Sequence, residues 1–199
     1  MGTTEVDTRE RIVAATSALF MQQGYSATGL KAIAKAGRAT TGSLYHFFPG
    51  GKAELAAATL RHSGRGYEEL VMSVIDGAPD VVTGLRACFA AAADLLRATD
   101  YVDACPIATV ALEVASSDEP LRQVIDEVFR SWLDAAARRL AADGVPEERA
   151  QELAIVFVAA LEGGFLLSRV ARDASAMESV GRAVVAAVED ALAEARRGS

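Results

Sequence analysis

Between residues 40 and 46 the chain runs Thr-Thr-Gly-Ser-Leu-Tyr-His, a set of small hydrogen-bonding groups interrupted by one large apolar residue. At helical spacing Thr40, Thr41, Ser43, Tyr45 and His46 point outward, while Leu44, Phe47 and Phe48 turn inward and pin the segment to a core. Hydroxyls, a phenol and an imidazole on one outward face are the groups that hydrogen-bond base edges and phosphate oxygens in a DNA major groove. Gly42 among them lets the helix backbone approach closely. Lys52 follows Pro49-Gly50-Gly51, where a helix start and a lysine together form an anion site. For Tyr45 and His46 the alternative is packing on their own domain.

Little else in the chain points to chemistry. Cys88 and Cys105 are too few for a disulfide framework or a Cys-rich zinc module, and His46 and His62 stand alone, so no metal and no cofactor is expected. Gly51-Lys52 is not a nucleotide phosphate loop, because that motif needs Gly where His46 stands and Ser or Thr where Ala53 stands. The two cysteines form either a thiol switch or small buried apolar groups. Glu113 and Glu162 lie in otherwise apolar stretches, residues 105–115 and 153–167, which read as helices buried on several sides. An interior carboxylate is costly unless paired, here with an internal Arg or with a cationic ligand. A helical enzyme using either one as acid or base is the rival reading, and it lacks a nucleophile, a metal set and a cofactor motif.

The 199 residues, 51% hydrophobic and with only 5 prolines, have the composition of a folded chain. A net charge of −7 looks wrong for a DNA binder until it is divided along the sequence. Residues 1–66 carry eight Lys or Arg against four acids, a balance of +4, whereas residues 67–199 carry twelve Arg against 23 acids. A cationic head on an acidic body suits a protein with one end facing phosphate, although a chance solvated face has the same arithmetic. No run reaches the ~18 consecutive apolar residues of a membrane span, and the polar N-terminus has no signal-peptide core. The expectation is a cytoplasmic chain with no membrane partner.

Apolar residues recur at helical spacing nearly everywhere, and the pattern predicts nine helices and no strand. The first runs from Thr8 to Gln23 behind an Asp7/Glu10 capping box and stops at Gly24. The second follows Thr28 and ends at Gly37, and the third starts at Thr40, whose hydroxyl caps the next turn. The fourth, Ala53 to Ile75, contains Gly64 and Gly66, which serve either a hinge or close packing. Breaks at residues 77–79, 100–106, 116–120, 143–146 and 172–175 separate five more. In the last, Val180, Val184, Val188 and Leu192 form one stripe and Ala183, Ala187, Ala191 and Ala195 another, expected to pack on the eighth helix and a partner chain.

Residues 24–55 hold Gly-Tyr-Ser-Ala-Thr-Gly-Leu-Lys-Ala-Ile-Ala, Thr-Thr-Gly-Ser-Leu-Tyr-His-Phe-Phe and Lys-Ala-Glu-Leu. This pattern resembles the DNA-binding signature of the TetR/AcrR family of bacterial repressors, and Pro49-Gly50-Gly51-Lys52 is similar to the LmrA/YxaF-type regulators of multidrug resistance genes. The likeness is strong over residues 8–60 and architectural beyond. It implies an all-α, nine-helix fold, with residues 1–50 as a helix-turn-helix DNA-binding domain and residues 51–199 as a ligand-binding and dimerisation domain. The function implied is a homodimeric repressor on a palindromic double-stranded DNA operator, released by a small apolar or amphipathic effector.

DNA contacts are implied at Thr28, Lys31, Arg38, Thr40, Thr41, Gly42, Ser43, Tyr45, His46 and Lys52. An effector pocket is implied near Leu70, Val74, Phe89, Leu112, Glu113, Phe129, Trp132, Phe157 and Glu162, with ordinary core as the alternative for the apolar ones. Leu161, Phe165, Val180, Val184, Val188 and Leu192 are implied in a four-helix dimer bundle. The family usually has Ala-Gly-Val-Ser through the turn. Here Gly37-Arg38-Ala39-Thr40 stands at those places, so Arg38 is expected at a positive φ, a cost of ~1 kcal/mol. Were that turn spoiled, the chain would be a dimeric binding protein without DNA function.

Overall fold

The computed structural model describes residues 2–198, with side chains over residues 8–197. Among the described residues the chain is all-helical: α1 (Gly2–Gln23), α2 (Leu30–Ala36), α3 (Thr41–Phe47), α4 (Gly51–Asp76), α5 (Val81–Ala98), α6 (Pro106–Val114), α7 (Glu119–Ala142), α8 (Glu147–Ala171) and α9 (Ser175–Gly198). The start of α1 corrects the expected capping box, because the helix passes through Asp7 and begins at Gly2. Nothing in Thr3-Thr4-Glu5-Val6 breaks a helix, and a glutamate near an N-terminus favours one. The Asp7 side chain itself lies outside the described residues.

The other breaks follow local chemistry. Asp80 caps α5 by accepting from the Thr83 amide at 2.8 Å, Pro106 opens α6, and Arg172 at φ +52 closes α8. The helices group into two compact units, residues 1–66 with 104–128 and residues 67–103 with 129–199. The boundary expected at residue 50 therefore falls inside the first unit, where α6 packs on α1.

In the first unit, Ile12 and Val13 of α1, Ile33 and Ala34 of α2, Leu44 and Phe48 at α3, and Leu55 of α4 form one core. In the second, α9 packs against both α5 and α8. Val184, Val188 and Leu192 are buried in that core with Phe89, Leu153 and Phe157, and Val188 is only 1% exposed. This corrects their expected place at a partner's surface: the valine stripe of the last helix is covered by neighbours in its own unit, whereas Ala183 of the alanine stripe stays exposed. Leu161, Phe165 and Val180 are half-buried at the edge of the same core.

The expectation that α6 and α8 are interior all round also fails. Leu112 is 82% exposed on α6, and Ile155, Val156, Leu166, Leu167 and Val170 are exposed on α8. By length and composition alone, α8 is the one helix among the described residues apolar enough to cross a membrane.

Gly64 and Gly66 separate cleanly. A Cβ at Gly64 would lie 2.5 Å from a Val128 methyl on α7, whereas one at Gly66 would meet nothing within 4 Å. Valine is stiff at χ1 and cannot step aside cheaply. Gly64 is thus a packing glycine. Gly64→Ala should lower the thermal unfolding midpoint, and Gly66→Ala should raise stability by up to about 1 kcal/mol through helix propensity. Parallel melts of the two single variants check this, with opposite signs as the expected result.

Candidate nucleic-acid interface

The turn between α2 and α3 closes as a Schellman motif despite its displaced glycine. The Ala39 amide donates to the Ala34 carbonyl at 2.9 Å and the Arg38 amide to the Lys35 carbonyl at 3.3 Å, with Arg38 at φ +49. Gly37 itself has an ordinary φ of −78°, and its lack of a side chain serves packing instead. A Cβ there would lie 3.2 Å from the Ile12 Cα. Close approach of α1 thus demands glycine at 37, and Arg38 takes the strained position as the sequence predicts.

Thr40 caps α3, its Oγ1 accepting from the Ser43 amide at 3.0 Å. Leu44 and Phe48 are buried beneath it and Phe47 is half-buried. On the opposite side Thr40, Thr41, Gly42, Tyr45 and His46 are exposed, Tyr45 by 51%. His46 leans edge-on against Phe47 at 5.0 Å but keeps its outer face open. Ser43 is half-buried, and its hydroxyl lies 3.0 Å from that of Thr40. Lys31 and Arg38 are exposed on α2 and in the turn.

Thr28 is a correction. It is fully buried, donating from its hydroxyl to the Gly24 carbonyl at 2.6 Å and accepting from Gln23 Nε2 at 3.1 Å, so it shapes the α1–α2 loop and does not face a ligand. Two residues of α1 escaped the sequence reading. Arg11 Nε donates to the Gly37 carbonyl at 3.4 Å, and the Arg9 guanidinium lies 5.3 Å from the Phe48 ring. The basic cluster Arg9-Glu10-Arg11 was visible, but which face it takes depends on α1 starting early.

Lys52 lies in the first turn of α4, beside a start already served by Glu54, which accepts from the Gly50 amide at 2.6 Å. Its ammonium donates to the Ser26 carbonyl at 3.4 Å and stands 4.3 Å over the Tyr25 ring. Burial lowers the Lys52 pKa, with Glu113 opposing. Burial also raises the Tyr25 phenol, helped by Asp118.

Glu113 is neither deeply buried nor paired with an arginine. From α6 its Oε1 accepts from the Tyr25 amide at 2.7 Å and its Oε2 from the Ser26 amide at 2.8 Å. Desolvation pushes its pKa up, but the bonds from Ser26 and Tyr25, with Lys52 nearby, outweigh it and hold the carboxyl below its usual range. The reason the sequence misled is that two unpaired loop amides meet the carboxylate's needs as well as a cation does.

Of the expected pocket residues, Leu70 and Leu112 are exposed, and Phe89 and Phe157 pack edge-to-face inside the second core. The void beside Phe157 measures only about 10 Å³. Val74, Phe129, Trp132 and Glu162 are half-buried, with Phe129 and Trp132 edge-to-face at 5.4 Å. A shallow groove of about 200 Å³ runs between α5 and α9, lined by Arg86, Phe89, Ala90, Glu178, Gly181, Arg182 and Val185. Both cysteines are buried. Burial pushes the Cys88 thiol up to about 11, and Cys105 Sγ accepts from the Ala108 amide at the start of α6. Among the described residues no cluster of three His, Cys, Asp or Glu is placed to hold a metal.

Known proteins with this arrangement agree on one architecture. The pattern of bacterial regulatory proteins of the tetR family matches residues 12–59, and that of the transcriptional regulator LmrA/YxaF-like C-terminal domain matches residues 81–183. The chain is 39% identical over 171 residues to the HTH-type transcriptional regulator YxaF of Bacillus subtilis, covering 86% of this chain and 90% of that one. It is 32% identical over 169 residues to the HTH-type transcriptional regulator LmrA of the same organism, covering 85% and 90%. The fold is shared with a TetR regulatory protein from Rhodobacter sphaeroides, with a TM-score of 0.78 at 21% identity over 89% of this chain and 97% of that one. It is shared too with a cysteine mutant of the TetR family regulator CifR, solved with double-stranded operator DNA, with a TM-score of 0.75 at 19% identity over 88% and 94%.

The Glu113 geometry carries a pH signature. A carboxyl held below its ordinary value in the folded chain adds stability above that value, and the addition is lost as pH falls through the folded pKa. At neutral pH Glu113→Gln should therefore unfold at a lower temperature than the parent, and the gap should close as pH drops below the ordinary 4.5. Melts across that range check the sign.

Proposed function

We propose that this chain, which belongs to the tetR family of bacterial regulatory proteins and carries an LmrA/YxaF-like C-terminal domain, represses transcription from a near-palindromic DNA operator as a homodimer. It is a helix-turn-helix transcriptional regulator, and its family is not enzymatic. The observation that carries the operator reading is the exposed face of α3, with Thr41, Tyr45 and His46 outward and Leu44 and Phe48 locked beneath. Those three, with Gly42 admitting the backbone, meet base edges and nearby phosphates, while Thr40 and Ser43 hold the helix start and touch the backbone. Lys31, Arg38 and Lys52 neutralise phosphates.

Two copies set their α3 helices about one DNA turn apart, ~34 Å. The apolar face of α8, with Ile155, Leu166 and Val170 exposed and Leu161, Phe165 and Val180 along its edge, is the surface a second copy covers. That occupant suits a DNA-binding chain better than a lipid bilayer, since the half-buried Glu162 interrupts the middle of the helix. Residues 1–50 bind DNA and the remainder senses and dimerises, in the cytoplasm. A small apolar or amphipathic effector acts on the half-covered Val74, Phe129, Trp132 and Glu162, and releases DNA by favouring another spacing of the heads.

Selection from random-sequence DNA, followed by titration at several salt concentrations, tests this reading. The protein should enrich a palindrome and bind it less tightly as salt rises. Lys31→Ala should weaken all duplexes alike and reduce the salt slope by about one, whereas Thr41→Ala should change the enriched sequence. Leu166→Arg, on a side chain 53% exposed in the subunit, should leave a folded monomer that no longer binds the palindrome. A dimeric Leu166→Arg protein would move the interface off α8.

A further inference from the structure

We propose that Glu113 is a positioning residue for DNA binding, which from α6 holds the α1–α2 loop and through that loop sets Lys52 against the DNA backbone. The inference rests on the DNA-binding reading above and adds to it a residue outside the helix-turn-helix.

Three observations meet at this point. Both Glu113 oxygens are used, one on the Tyr25 amide at 2.7 Å and one on the Ser26 amide at 2.8 Å. A carboxylate is the side chain that offers two acceptors and no donor, so it satisfies adjacent amides together, while an amide side chain would turn an NH2 toward one of them. Gly24, at φ +79, makes room for it: a Cβ there would overlap Glu113 Oε1. Lys52 engages the same two residues, through the Ser26 carbonyl at 3.4 Å and the Tyr25 ring at 4.3 Å.

The loop is therefore held between an anion and a cation. An ammonium carries three donors, and the Ser26 carbonyl takes one. The rest remain for a phosphate, presented from a half-buried stem whose position the loop sets. Without the Glu113 clamp the Tyr25 and Ser26 amides lose their acceptor, the loop gains alternatives, and Lys52 loses the two groups that orient it. Ordering it again on binding would then cost affinity.

The test is a double-mutant cycle of Glu113→Gln and Lys52→Ala, on a duplex that the parent protein enriches from random-sequence DNA, with a melt of each variant to verify folding. The salt slope counts phosphates neutralised, so a purely structural role for Glu113 would leave it unchanged in folded protein. We expect Glu113→Gln to weaken binding roughly tenfold and lower the slope by about one. Lys52→Ala should do the same alone and add less than about twofold on top of Glu113→Gln, because coupled residues are not additive. A folded Glu113→Gln protein with parental affinity and slope, or a Lys52→Ala effect equal in both backgrounds, overturns the proposal. Should Glu113→Gln not fold, Glu113→Asp, which keeps the charge but shortens the reach, takes its place and the same two outcomes decide. A parent protein that enriches no duplex overturns the DNA reading itself, and this inference with it.

Discussion

A helix of seven residues cannot hold its own shape in water, because the hydrogen bonds it forms do not offset the cost of starting it. The second helix of the helix-turn-helix, α3, is such a helix, so its exposed face depends on what anchors it from below. Leu44 and Phe48 do so, each contributing roughly 2 kcal/mol by burial. The Thr40 cap adds about 1 kcal/mol at the start. These anchors reach only as far as α1, α2 and the head of α4, whose Ile12, Ile33 and Leu55 complete the same core. Thr41, Tyr45 and His46 stay exposed because none of them is needed to hold the helix.

Around that anchor the first unit uses charge sparingly and locally. Arg11 serves the end of α2, Glu54 the start of α4, and Glu113 the loop before α2, each by bonding backbone groups left over where helices end. The second unit solves a different problem. Its helices are rich in alanine and valine, and α9 lies against two neighbours, so Val184, Val188 and Leu192 are used up inside the chain. One face of α8, with Ile155, Val156, Leu166, Leu167 and Val170, is left exposed.

Much of the interface was legible in the residues. The alternation of small polar and large apolar groups from Thr40 to Phe48 needs only helical geometry to become a reading face, and the misplaced glycine at 37 correctly put Arg38 at a positive φ. Thr28, expected at the DNA, is instead buried, because its hydroxyl bonds the Gly24 carbonyl and Gln23, and only the fold of the loop brings those groups to it. An aromatic side chain on an apolar helix reads the same whether it fills a core, as Phe89 and Phe157 do, or stays half-covered, as Phe129 and Trp132 do.

Among the described residues the sequence by itself determined the nine helices, the breaks between them and the outward face of α3, though not the start of α1, because those follow from periodicity and capping within a few residues. Tertiary structure alone decided what each apolar stripe meets. Val188 and Leu166 are both branched apolar residues on long helices, yet one is sealed in the core and the other open, since the difference lies in which face of its helix each one occupies. It also decided the partner of Glu113, which is separated by 88 residues from the amide it accepts from. A carboxylate's requirement for donors is written in its chemistry; which donors arrive is settled by the packing of α6 against α1.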